Sequence, residues 1–308
     1  MLRDHWREFP REIDSLEKVV PPVERFIQTR IASEAKIIHL YVIPQTRGFW
    51  DWFHDAPPRS NFFCLTRKEV LIAQEQQDAS YTFEVCPIAD ILAFEVGTVL
   101  LKSWITFATI AEGEIRRTTL NYGTTFSRQF RDSILWLRAL TQLRDRPPVH
   151  AWRMPGEEHI SALPLKFNNA ARNYWLDGET ALASCFIAPV TQPRRLLDRL
   201  RVPSATATAI VVSDEEVCII EEQGHSATGR WGQIWRFFPL DRIAGSDVSP
   251  EERFPAVRLQ LRHAASPPLG AAPDPRSLDI RIPFQPSQQP EIDRVLRVMH
   301  AQCLRGTG

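Results

Sequence analysis

The chain writes one pattern twice. LTRKEVLIA begins at Leu65 and VSDEEVCII begins at Val212, so the spacing from 65 to 212 is 147 residues. Apolar positions flank a polar centre in each: Leu65, Val70, Leu71 and Ile72 in the first, Val212, Val217, Cys218 and Ile219 in the second. Strand, tight polar turn, strand is the reading that fits, a β-hairpin. A repeated hairpin limits the fold more than any composition figure, because a duplicated unit has to bury its apolar face twice in the same way.

More landmarks recur in the same order. Upstream, Ile31-Ala32-Ser33-Glu34 precedes IIHLYVIP, and Leu176-Asp177-Gly178-Glu179 precedes ALASCFIAP, with Pro44 and Pro189 closing the two runs. A helical stripe stands before each: Val23, Phe26, Ile27 and Ile31, then Phe167, Ala171, Tyr174 and Trp175. Downstream, PIADILAFEV from Pro87 matches PLDRIAGSDV from Pro239, each read as a strand ahead of the closing helix. Period-2 hairpins follow both. WITFAT and EIRRTTLNY flank Ala111-Glu112-Gly113, and Val257, Leu259 and Leu261 are answered by Leu278, Ile280 and Ile282. Such alternation predicts one buried and one wet face.

A helix is predicted to close each copy. Ser127 is the expected N-cap of the first, with Phe130, Ile134, Leu137 and Leu140 as its stripe. Pro290 falls in the first turn of the second, where its missing N–H costs nothing, and Ile292, Val295, Leu296, Met299 and Cys303 form the apolar face. The expected organisation is an arm at 1–22, a module at 23–143, a proline-spaced connection at 144–165 and a module at 166–304. The arm carries a short helical stripe (Ile13, Leu16, Val19, Val20) before Pro21-Pro22.

The predicted fold class is mainly β with capping helices. The Ile-Ala-Ser-Glu and Leu-Asp-Gly-Glu approaches, the TRKEVLI and SDEEVCI hairpins and the two Pro-led segments resemble the pleckstrin-homology superfold, closest to its bacterial PH-like and GRAM-like branch. The resemblance covers most of the chain. It implies two tandem bent β-sandwiches, each of seven strands and stoppered by a C-terminal helix, and a role in binding or scaffolding, not catalysis. The phosphoinositide pattern of that superfold is incomplete here. The first copy has Lys36 and Arg47 without Arg-x-Arg, and the second has Arg199-Leu200-Arg201 without a lysine on its first strand.

Two loops stand out as binding candidates. RGFWDWFHD places Phe49, Trp50, Trp52 and Phe53 in a polar connection after the first predicted strand, at the end that is ligand-facing in the resembled family. Tryptophan suits a membrane interface, and the same spacing suits a helical turn laid on the sheet. The matching loop of the second copy, QPRRLLDRLRVP, sets Arg194, Arg195, Arg199 and Arg201 around leucines. A basic amphipathic turn attracts an anionic membrane or an acidic partner, or lies as a solvated helix with its leucines inward.

Most chemistries lack their signature. Lys+Arg and Asp+Glu are both 37, so the basic excess of a nucleic-acid binder is missing. There is no GxSxG, Walker loop, GxGxxG or HExxH, and Glu157-Glu158-His159, the densest group of metal-ligand types, has no partner spacing. No metal, cofactor or catalytic residue is expected. Five widely spaced cysteines without a CxxC predict reduced, mostly buried thiols in a cytoplasmic protein, peripheral to a membrane at most. The carboxylate pairs Glu215-Glu216, Glu221-Glu222 and Glu251-Glu252 fall in turns and at strand ends and read as solvated. The expected function is a non-catalytic binding or scaffold protein for a protein partner or membrane surface, with open strand edges that would also allow self-association. The alternative is an enzyme or apolar-ligand binder that uses a cavity in the β-modules.

Overall fold

A computed structural model describes residues 10–31, 36–44, 59–111, 113–142, 148–151, 153, 155–191, 203–225, 230–250, 254–262 and 278–305. The fold is mainly β. Helix α1 (Pro21–Arg30) is followed by β2 (Ile37–Pro44), β3 (Ser60–Thr66), β4 (Glu69–Glu75) and β5 (Tyr81–Pro87), preceded at the sheet's edge by the short β1 (Arg11–Glu12). These form an antiparallel sheet ordered β1-β2-β3-β4-β5. A 3-10 turn at Ile88–Asp90 leads to β6 (Ile91–Val99), β7 (Lys102–Ala111), β8 (Glu114–Gly123) and then α2 (Ser127–Thr141).

The second half has the same sequence of elements. Helices α3 (Glu157–Ser161) and α4 (Leu165–Arg172) precede β9 (Ala181–Ile187), β12 (Thr208–Ser213), β13 (Glu216–His225) and β14 (Arg230–Pro239). A small pair, β10 (Val190–Thr191) with β11 (Pro203–Ala205), lies between β9 and β12. A 3-10 turn at Leu240–Arg242 then leads to β15 (Ile243–Ser249), β16 (Ala256–Leu261), β17 (Leu278–Pro283) and α5 (Gln289–Arg305).

The likeness extends to single hydrogen bonds. The hairpins that open with Thr66 and Ser213 turn through two residues, and neither turn uses positive φ. The hydroxyl does the work that glycine does elsewhere. Thr66 Oγ1 accepts from the Lys68 and Glu69 amides at 3.2 and 2.9 Å, and Ser213 Oγ from those of Glu215 and Glu216 at 3.2 and 3.0 Å. Each 3-10 turn is tied back to its own hairpin, Ile88 N to Lys68 O and Leu240 N to Glu215 O. A β-bulge falls at the start of β6 and again at the start of β15. The spare residue, Leu92 or Ala244, bends the strand where the chain passes from one sheet to the next.

The two halves share a sheet. β6 pairs antiparallel with β14, from Phe94 opposite Phe237 to Val99 opposite Gly232. The result is a seven-stranded sheet ordered β8-β7-β6-β14-β13-β12-β9. One face of its β6–β8 part meets the first sheet, closed by α2 through Phe130, Ile134 and Leu137. The same face of its β9–β14 part is covered by α3 and α4. The opposite face of that part packs on β15, β16 and β17, closed by α5 through Ile292, Val295, Leu296 and Met299. Helix α1 covers the outer face of the first sheet with Val23 and Ile27.

Several sequence expectations change in detail. Ser127 is the first residue of α2 and not its cap; the cap position is Phe126, reached from a 3-10 turn, and Ser127 Oγ lies 3.2 Å from Ser103 Oγ. The stripe at Ile13–Val20 is not an α-helix: one 3-10 turn at Leu16–Lys18 is flanked by extended Ser15 and Val19, and Val20, the residue before Pro21, is extended too. The Pro-led segments are corners between strands, not single strands. In the connection, Gly156 takes φ 77, which lets α3 begin there and bury Ile160.

Candidate functional site

Phe49, Trp50, Trp52, Phe53, Arg194, Arg195, Arg199 and Arg201 all lie outside the described residues. What the described residues bring together instead is the junction between the halves, and the strand edges it uses and leaves open.

Arg138 is the centre of the junction. It follows Leu137 on the apolar stripe of α2 and is only 2 % exposed. Its Nη2 donates to both oxygens of Glu179 at 2.8 Å, and its Nε donates to Glu216 Oε1 at 2.8 Å. Nη1 donates to the Tyr174 carbonyl, and the guanidinium lies 5.1 Å from the centre of the Phe237 ring. Glu179 reaches this place because Gly178, at φ 80, turns the chain back and lets Leu176 N donate to Glu179 Oε2 at 3.2 Å. Burial opposes the Arg138 charge, and the two carboxylates outweigh it, so the guanidinium is held above its ordinary value. One cation from the first half is therefore held by two carboxyl groups from the second, with no water-facing side.

Glu216 corrects the expectation that the paired carboxylates are solvated. It is 1 % exposed, and Gln142 Nε2 donates to its second oxygen at 3.0 Å. Burial pushes its carboxyl up to about 7, against the lowering effect of Arg138. The folded chain thus holds a proton that the unfolded chain releases from the ordinary value of 4.5 upward. This contribution to stability is present at acid pH and falls as pH rises through that window. Glu216→Gln, which keeps an acceptor for Arg138, is expected to gain on the parent between about pH 5 and about pH 8 in paired thermal melts. A difference that stays constant with pH would contradict the assignment.

A second polar chain crosses the β6–β14 pairing. Arg236 Nε donates to Glu95 Oε2 at 2.8 Å, its Nη1 donates to Glu221, and Trp104 Nε1 donates to Glu95 Oε1 at 2.8 Å. Burial works against the Arg236 charge, but Glu221 and Glu95 hold it above its ordinary value. The Trp104 ring lies flat across Gly97, directly opposite on β6, where an added Cβ would come within 2.1 Å of the ring. Gly97→Val is expected to displace Trp104 from Glu95 and to cost about 1–3 kcal/mol in a denaturant titration. An unchanged midpoint would show that the ring has another place to go.

Two strand edges resembling those at the junction remain. In the second half β15 stands where β6 stands in the first, and in the first half β5 stands where β14 stands in the second. Both are end strands of their sheets. A groove of about 450 Å³ follows β15 towards the last turn of α5, lined by Leu240, Ile243, Ser246, Asp247, His300 and Cys303 among others.

Glu157 is bound by Arg172 at 2.5 Å, and no cluster of metal-ligand side chains occurs among the described residues. The five cysteines are free, and burial pushes the thiols of Cys64 and Cys185 up to about 12 and that of Cys86 up to about 11. Thiols held this high are poor nucleophiles. No helix among the described residues is long and apolar enough to cross a membrane. Compared with protein-family models, curated proteins and solved structures, the chain has no match.

The sequence did not point to Arg138, Glu179 or Glu216 as a set. A signal was present: an arginine sits within the apolar stripe of the closing helix, and Glu179 belongs to the Leu-Asp-Gly-Glu landmark. Their meeting depends on how the halves dock, which no local pattern encodes.

Proposed function

We propose that the chain is a non-catalytic binding or scaffold protein built of two tandem PH-like modules, 23–143 and 166–304, and that it engages a protein partner through its strand edges or a membrane surface through its loops. The support is the recurrence of four antiparallel strands, a 3-10 corner, three antiparallel strands and a closing helix, with matching bulges. The observation that carries the binding reading is the β6–β14 pairing, in which one half already recognises the other by adding a strand to an edge. The interior argues the same way. Inward positions of the second half are filled by Val212, Val217, Ile219, Phe238, Val257 and Leu259, which leaves the core a packing role.

Native mass spectrometry of the purified chain tests this reading. The expected species are the chain alone, its oligomer or its complex with a protein. A stoichiometric small molecule would move the assignment to a ligand-binding protein or enzyme. The loops give a separate arm. Sedimentation with anionic liposomes that weakens in Trp50→Ala/Trp52→Ala, or at raised salt, would place the partner surface in a membrane.

A further inference from the structure

We infer that the outer edge of β15, with the groove beside α5, docks an extended strand of aromatic–basic–aromatic pattern running antiparallel to β15. The inference rests on the binding reading above and names the partner's chemistry.

The chain supplies its own template. At β6 the arriving strand is β14, which sets Trp235, Arg236 and Phe237 opposite Val96, Glu95 and Phe94. Neighbouring strand residues face opposite sides of the sheet. Arg236 accordingly reaches Glu95 on one face. On the other, Phe237 stacks on Phe94 at 4.9 Å and lies beneath Arg138. Trp235 donates from Nε1 to the Ala170 carbonyl at 3.0 Å on that same side.

β15 offers counterparts of the carboxylate and of the residue on the closing helix, and a smaller side chain in place of Phe94. Glu95 lies opposite Thr106 on β7, and Asp247 lies opposite Arg258 on β16 at the same distance past the bulge. Asp247 is exposed, and Arg258 leans towards Asp279 at 3.7 Å. Ser246 stands in the place of Phe94, and this smaller side chain opens the groove into which an incoming aromatic ring would fit. His300 follows Met299 on α5 as Arg138 follows Leu137 on α2, and its Nε2 is 2.6 Å from the Ser246 carbonyl oxygen. The sheet order leaves β15 as an end strand with no strand on its outer side among the described residues, and the Ser246 carbonyl, held by His300, is the acceptor an arriving strand would have to take over.

A second copy of the chain does not fit this edge. Its counterpart of β14 is β5, where Glu84 lies opposite Ile72 as Arg236 lies opposite Ile219. Pairing β5 with β15 in the same register would bring the Glu84 and Asp247 carboxylates together, and like charges directly opposite repel. The carboxylates thus disfavour head-to-tail addition of copies and leave the edge for a strand that carries a cation.

The test uses the full chain and two labelled peptides in soluble Gly-Ser flanks, one carrying Ile-Trp-Arg-Phe-Phe and the other with Glu in place of Arg. Fluorescence anisotropy is read against the wild type and against Asp247→Arg, a surface change. The wild type is expected to prefer the Arg peptide by about tenfold, and Asp247→Arg to reverse the order. No saturable binding to the wild type, or the same preference in both proteins, would overturn the inference. Wild-type self-association lost in Asp247→Arg would overturn it too, by assigning the edge to a second copy. Peptide failure beside a co-purifying protein in native mass spectrometry removes this edge alone, whereas a co-purifying small molecule removes the binding reading itself.

Discussion

Arg138→Met is expected to destabilise the fold by about 3–5 kcal/mol, the range seen when one partner of a buried ion pair is removed. The cost comes less from the lost attraction than from what stays behind. Glu179 and Glu216 would face each other, both buried and without their shared donor. The Tyr174 carbonyl would lose its donor as well. Denaturant titration at neutral pH checks the magnitude. A triple variant, Arg138→Met with Glu179→Gln and Glu216→Leu, is expected to recover much of the loss, because an uncharged junction of similar volume avoids burying ionised groups while Glu179→Gln keeps an acceptor for the Leu176 amide. A single variant with parent-like stability would mean that water reaches the site.

Phe130→Ala should be nearly as damaging, at about 3–5 kcal/mol. Phe130 is fully buried, and its ring is the hub of the first half's core. Ring centres of Tyr122, Phe63, Tyr41 and Phe126 stand 4.7, 4.8, 5.8 and 5.9 Å away. Those residues come from β8, β3, β2 and the turn before α2, so one side chain joins both sheets to the closing helix. Removing it leaves a void that four rigid rings cannot close. The check is the same titration, with Leu140→Ala as a control because Leu140 is only partly buried at the core's margin. Similar losses for both would contradict the central place given to Phe130.

Much of the chain was legible in sequence, and the reasons are local. Val257, Leu259 and Leu261 alternate because one face of β16 is buried, and periodicity records such a face directly. The twin hairpins were legible because Thr66 and Ser213 each supply the hydroxyl that the turn needs. The pairing of β6 with β14 left no such mark, since an added strand is held by backbone groups common to every residue. Glu216 was misread for a related reason. It looks like its neighbour Glu215 in sequence, yet it opens β13 on the side that meets Arg138, and only the docking of the halves decides which carboxylate is buried. The aromatic and arginine-rich loops were conspicuous by composition, which names a chemistry without fixing a position.

The claim beneath all of this is that the halves are welded strand to strand. Hydrogen exchange of the intact chain, resolved to single amides, measures it directly. Amides of Phe94–Val99 that face β14, and those of Gly232–Phe237 that face β6, are predicted to exchange as slowly as the ladder between β13 and β14. Exchange on either strand at the rate of an open edge such as β5 would contradict the shared sheet, and with it the template from which the β15 partner was read.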